Sequence, residues 1–212
     1  MPARERSIVF IDGNNLYHSL IAAGVTDLMQ LNYAKISAKI IGTRDWIATR
    51  YYIGQVKQQG NTYLYSEQRK FVSGLQNTDR RISVHFGRLE PRKIKNTLAD
   101  ELKRFAANLP HNVDSSIYSG LINLANQYQS LPVMVEKAVD VMLAVDLVTM
   151  ADNNNYDTAY ILSADGDYTP AVNYVMAQGK KVFAASTSYG AELAKAVHMF
   201  IPLDASWFND CY

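Results

Sequence analysis

The sequence predicts an α/β protein with a doubly wound, mainly parallel sheet and helices on both faces. Three observations carry this expectation. Short apolar runs of strand length alternate with longer amphipathic segments of helix length, as consecutive βα units require. Two of the runs, residues 7–11 and 159–163, stop abruptly in acidic glycine turns, Asp12-Gly13-Asn14-Asn15 and Ala164-Asp165-Gly166-Asp167. Finally, 212 residues with 48% hydrophobic content suit one domain of this kind.

Each element has its own signal. Residues 7–11 read as the first strand, followed by a helix over 15–23 that Gly24 closes. Asn32 caps a helix over 33–41, and Gly42 ends it. Residues 45–53 are rich in β-formers and make the second strand. Beyond Gly60 a helix covers 62–76, and 81–87 is an alternating third strand. Residues 88–95 read as a basic loop, and 96–108 and 117–129 as helices about a break at 110–114. The stretch of about 88–131 is therefore expected as a helical insertion bordering the site, within one domain spanning 1–212. Residues 133–151 form either one long helix or a short strand and a helix, and 152–157 a solvated turn. After the strand at 159–163, Pro170 lies near the first turn of a helix over 170–178, with Gly179 just past its end. A strand at 180–186, a helix at 190–200 and a short edge strand at 201–204, where proline is tolerated, complete the chain.

Bulk properties exclude several classes. A net charge of +1 means that any nucleic-acid affinity comes from local patches. The single cysteine, Cys211, rules out an internal disulfide or a cysteine metal site, and is expected to be exposed or loosely packed. No window reaches the ~18 apolar residues of a membrane span. No signal peptide is read at the N-terminus, so a cytoplasmic location is expected. His18, His85, His111 and His198 show no metal-ligand spacing.

The acidic turns carry the chemistry. In an open parallel sheet, ligands bind beyond the carboxyl ends of the strands. If the strands at 7–11 and 159–163 are neighbours, Asp12, Asp165 and Asp167 meet at one edge. Crowded carboxylates raise one another's pKa values. A hard divalent cation, Mg2+ or Mn2+, relieves that repulsion. The structural alternatives are ordinary turns and caps for these three. Asp140 could likewise be a helical i,i+3 partner of Lys137. Asp146, about 240° round the same helix from Asp140, reads as structural.

Three segments, Phe10-Ile-Asp-Gly-Asn-Asn-Leu16, Lys137-Ala-Val-Asp-Val141 and Ser163-Ala-Asp-Gly-Asp-Tyr168, together resemble the signature segments of the NYN domain. That family includes LabA/DUF88-like proteins and belongs to the PIN-like nuclease superfamily. The resemblance covers about residues 7–186, with 88–131 outside its pattern. It implies a three-layer α/β/α PIN-like fold and metal-dependent ribonuclease activity with Mg2+ or Mn2+. The metal-binding catalytic acids fall on Asp12, Asp140, Asp165 and Asp167, with Asn15 at the rim. Water activated by the metal would attack phosphorus in line, leaving 5′-phosphate and 3′-hydroxyl ends. Gly166 and Tyr168 depart mildly from the pattern, standing where small polar residues and phenylalanine are common.

RNA, single-stranded or at its ends, is the expected partner, and a homodimer is compatible with the family. Eight Lys and Arg lie between Arg80 and Arg104, and Arg88, Arg92, Lys93 and Lys95 could follow an RNA backbone. The bland alternative is a solvated loop. Tyr51, Tyr52, Tyr63 and Tyr65 are either base-stacking platforms or core. The rival function is a non-catalytic regulatory or RNA-binding NYN protein that keeps the acidic pocket. A haloacid-dehalogenase-type phosphatase needs a second Asp two residues after the first, where this chain has Asn14. A receiver domain does not fit the order around Asp165.

Overall fold

The computed structural model describes residues 4–58, 61–93, 97–110, 112–129 and 132–212, with only the backbone for 91–93 and 132–133. Among these residues seven strands form one sheet: β1 (Arg6–Asp12), β2 (Asp45–Gln55), β3 (Ile82–Lys93), β4 (Pro132–Lys137), β5 (Thr158–Leu162), β6 (Lys181–Ser186) and β7 (Met199–Pro202). The sheet order is β4-β3-β2-β1-β5-β6-β7. β1 runs parallel to both β2 and β5, and the pairs β2/β3, β5/β6 and β6/β7 are also parallel. The helices are α1 (Gly13–Ala22), α2 (Tyr33–Ile41), α3 (Thr62–Thr78), α4 (Thr97–Ala107), α5 (Ser115–Gln129), α6 (Val139–Asp152), α7 (Thr169–Ala177) and α8 (Ala191–Ala196). No helix among the described residues is long and apolar enough to cross a membrane.

Side-chain alternation along the strands builds the three layers. On β1, Val9 and Ile11 enter a core with Leu16 and Leu20 of α1, Ile36 of α2 and Leu75 of α3. Ile8 and Phe10 point the other way, into a core with Leu143 of α6, Val172 of α7 and Leu193 of α8. A strand covered on both faces reads as a continuous apolar run, which β1 does until Asp12. The chain moves outward from β1 through β2 and β3, then returns to place β5 on the other side of β1. That reversal opens a crevice at the carboxyl ends of β1 and β5.

Four local expectations are corrected. The basic segment is not all loop: β3 continues to Lys93, paired with β2 as far as Arg88 and neighboured by β4 on its other side. Gly87 is required there, since a Cβ would stand 2.5 Å from Val139 Cγ2 and 2.7 Å from the Lys137 carbonyl. The 133–151 stretch takes its second form, a strand and then a helix, so Lys137 lies in β4 and not on a helical face with Asp140. The helix expected over 190–200 stops at Ala196. The β-forming run that follows pairs with the open edge of β6, starting from His198 N–H to the Val182 carbonyl at 2.9 Å. Cys211 is buried, packed with Phe208 against the α1/α2 side of the core, and its carbonyl accepts from Asn32 N at 2.7 Å. Leu89–Glu136 makes a compact unit of its own, containing the α4–α5 hairpin.

The edge opposite the acids is laced by ion pairs. Glu5 accepts from Arg44 Nε at 2.8 Å and from Lys181 Nζ, and Arg6 pairs with Asp157 at 2.8 Å. Lys181 and Arg44 hold the Glu5 carboxyl down to about 2, as Arg6 does for Asp157 and Arg81 for Asp79. A lowered folded pKa gives stability above the unfolded value of about 4, lost as pH falls towards the folded one. These groups are partly exposed and screened, so Glu5→Gln should cost less than about 1 kcal/mol at pH 7. Urea unfolding should show that difference shrinking as pH drops from about 4 towards 2.

Candidate metal centre

Asp12 closes β1 and caps α1, its Oδ1 accepting from Asn15 N at 3.0 Å. It is only 3% exposed. Its Oδ2 accepts from the Tyr168 hydroxyl at 2.9 Å, with Ser163 Oγ farther off at 3.5 Å. Asn15 ties the loop after β5 to α1, because its Oδ1 accepts from Ala164 N at 3.1 Å. Within that loop Ser163 Oγ accepts from Asp165 N at 3.1 Å, and Asp165 Oδ1 accepts from Asp167 N at 2.9 Å, capping the single turn Gly166–Tyr168. Asp140 arrives from the first turn of α6, which the chain enters through Ala138 at a left-handed φ of 70°. Such a conformation is costly for a residue with a Cβ. Carboxylate oxygens of Asp12, Asp140 and Asp165, from three distant segments, lie within 4.8 Å of one another.

The electrostatics follow from burial and crowding. Desolvation pushes Asp12 upward, as do the charges of Asp140 and Asp165, against the Asn15 amide and the Tyr168 hydroxyl. Asp140 is raised by desolvation and then by Asp165, with Asp167 adding to it. Burial and the surrounding carboxylates raise Tyr168 too, so its phenol stays protonated and donates. Like charges ~4 Å apart repel by about 4 kcal/mol at an effective dielectric near 20. Three crowded carboxylates, Asp12 buried, Asp165 half-buried and Asp140 exposed, offer hard oxygen donors to a divalent cation, which would offset that repulsion.

Asp167 is exposed and outside the 4.8 Å group, near enough for its charge to act on Asp140. Asp146 receives Arg50 Nη2 and the Tyr52 hydroxyl, each at 2.7 Å, which is the structural role read for it. Tyr51 and Tyr52 are core, and Tyr63 is exposed on α3. Arg88 is exposed and pairs with Gln55, three residues past the Asp12–Tyr52 pair at the same sheet edge. The side chains of Arg92 and Lys93, and all of Lys95, lie outside the described residues.

Sequence reasoning missed two neighbours of the acids. Glu192 of α8 brings its carboxylate 2.8 Å from where a Gly166 Cβ would stand. Tyr168 gave a signal only as a departure from phenylalanine, yet its hydroxyl reaches Asp12 and, at 3.4 Å, Asp140. Deleting that hydroxyl leaves a buried carboxylate oxygen short of its nearest donor. Tyr168→Phe should therefore weaken Mn2+ binding by about 10- to 100-fold, as loss of a ligand-orienting partner does. Calorimetric titration at fixed pH reads this directly.

A three-layer parallel sheet with acids gathered at its switch point defines a PIN-like α/β protein with a candidate hard-metal centre. The NYN domain profile matches residues 6–204, nearly the whole chain, and the protein belongs to the NYN domain family within that superfamily. Among solved structures, the crystal structure of a protein of unknown function from Vibrio parahaemolyticus is similar, with a TM-score of 0.58 and 14% identity over 96% of each chain. That likeness concerns the fold alone. No curated protein matches the chain.

Proposed function

We infer that the protein is a divalent-metal-dependent ribonuclease whose centre is Asp12, Asp140 and Asp165, with Asp167 as the fourth acid at the rim. The observation that carries this reading is the convergence of three carboxylates from distant segments at the switch point of a nuclease-like family. Structural caps alone would not need all three in one cluster that runs from the buried Asp12 to the exposed Asp140. A bound Mg2+ or Mn2+ supplies positive charge and lowers the pKa of an attacking water. The chain's own residues prepare for it. Asp12, Asp140 and Asp165 present oxygens to one space, Tyr168 holds the inner oxygen of Asp12, and Asn15 fixes the loop bearing Asp165. Asp167 stands towards solvent, where an RNA phosphate approaches. Arg88 lies at the same edge and would steer the backbone, together with Arg92, Lys93 and Lys95. The chain acts as one domain with the 88–131 segment as an insertion.

Cleavage of a 5′-labelled single-stranded RNA in Mn2+, Mg2+ or EDTA tests this. Metal-dependent products with 5′-phosphate and 3′-hydroxyl ends, absent from Asp165→Asn, are expected. Wild-type protein that binds metal and RNA yet leaves every RNA intact would instead support the regulatory reading.

A further inference from the structure

The α4–α5 hairpin carries a surface that the acidic centre does not explain. Residues 115–135, including all of α5, form the longest run in the chain without an Asp, Glu, Lys or Arg. On a surface helix of average composition about one residue in four is charged. The two helices pack through small residues, burying Ala99 and Ala106 of α4 and Ala125 of α5. Their large side chains remain outside: Phe105, Ile117, Tyr118, Leu124 and Tyr128 are 42–60% exposed. On α5, Ile117, Leu121, Leu124 and Tyr128 recur at the four-three-four spacing of a helix-packing seam.

The absence of charge from α5 decides what covers this seam. A nucleic-acid surface needs cations to neutralise phosphates, and an interfacial membrane helix carries Lys and Arg on its polar face. α5 has neither. A two-fold contact between identical chains makes a different demand. Residues near the axis face their own copies, so any charge there meets a like charge. A neutral seam rich in tyrosine and leucine, with Ser119, Asn123 and Gln127 beside it, meets that demand. The five exposed side chains offer on the order of 400 Å² of apolar area per copy, about half of what a standard interface takes from each partner. The neutral polar residues supply the remainder. We propose that the α5 seam is a homodimer interface, in which two hairpins pair across a two-fold axis as a four-helix bundle.

Sedimentation of the full chain from about 1 to 100 μM tests this. A mass of twice 23.8 kDa is expected in the wild type. The double variant Ile117→Lys/Leu124→Lys should raise the dimer Kd at least ~100-fold with an unchanged circular dichroism spectrum, because each new charge faces its copy. Leu124→Cys provides an independent readout that leaves the seam uncharged. The native Cys211 is buried, so mild oxidation should link two chains through position 124. A wild type that stays monomeric, or a dimer that survives both lysines and does not cross-link at 124, overturns the proposal. Neither result bears on the nuclease centre.

Discussion

Asp12→Asn will abolish metal-dependent RNA cleavage and yet raise the melting temperature of the metal-free protein. The activity loss should be at least about 10³-fold, beyond what removal of one transition-state donor costs, because the buried ligand at the heart of the cluster disappears. The stability gain follows from the direction of the pKa shift. Burial and the charges of Asp140 and Asp165 raise the folded pKa of Asp12 above its unfolded value. Its stabilising contribution is thus complete below about pH 3.9 and is lost as pH rises through the folded value. At pH 7 the ionised group opposes folding, and a neutral isostere of the same shape removes that opposition. We expect a rise in EDTA, at about 2–4 °C for each kcal/mol gained by a chain of this size. Saturating Mn2+ should reverse the order, since ligand at 100 times Kd gives the wild type about 2.7 kcal/mol that the variant cannot gain. Scanning calorimetry with and without metal measures both halves. An Asp12→Asn variant that melts lower than wild type in EDTA would mean that the carboxylates do not repel as described.

Gly190→Ala should be nearly as damaging without touching a carboxylate. The backbone at Gly190 has φ −101° and ψ 96°, which alanine adopts freely, so the cost is one of space. An added Cβ would stand 1.9 Å from the Ala164 carbonyl oxygen and 2.7 Å from its carbon. Both are backbone atoms, and no side chain can swing aside. Ala164 must move, which breaks its hydrogen bond to Asn15 and displaces Asp165, the next residue. Overpacking of this kind costs roughly 1–3 kcal/mol, or about 2–12 °C in melting temperature. A shift of ~1 Å at the site should cost about 100-fold in cleavage. Gly74→Ala is the matched control. Nothing lies within 4 Å of that position in α3, so the substitution should raise stability slightly. If Gly190→Ala melts and cleaves like wild type, the 163–167 loop is not anchored as the structure has it.

The fold and the acids were readable in the sequence where local signals agreed with tertiary ones. The apolar run into Asp12, the Asn32 cap and Gly42 stop of α2, and the proline near the first turn of α7 each specify an element by short-range chemistry. Each is found within a residue or two of its expected bounds. Asp140 stood out in the sequence only as an isolated acid near the start of an apolar helix, and its place among the ligands came from the resemblance. The helix carrying it is apolar all round, and its entry through a left-handed Ala138 leaves no sequence mark. Long-range pairing accounts for the misses. β3 extends between two neighbouring strands, β2 and β4, and β7 replaces the end of a helix because β6 has an open edge. Cys211 is buried because the chain end folds back onto α2. The Tyr168 hydroxyl and Gly190 act through contacts with Asp12 and Ala164, far away in sequence, and no periodicity reports those.

Mn2+ titration of the metal-free protein, followed by electron paramagnetic resonance, tests most directly whether Asp12, Asp140 and Asp165 form one metal centre. Saturable binding to the wild type should be lost, or weakened by at least about 100-fold, in each of Asp12→Asn, Asp140→Asn and Asp165→Asn. Glu5→Gln, at the opposite edge of the sheet, should bind as wild type does. A wild type that takes up no Mn2+, or three variants that bind it unchanged, would contradict the account.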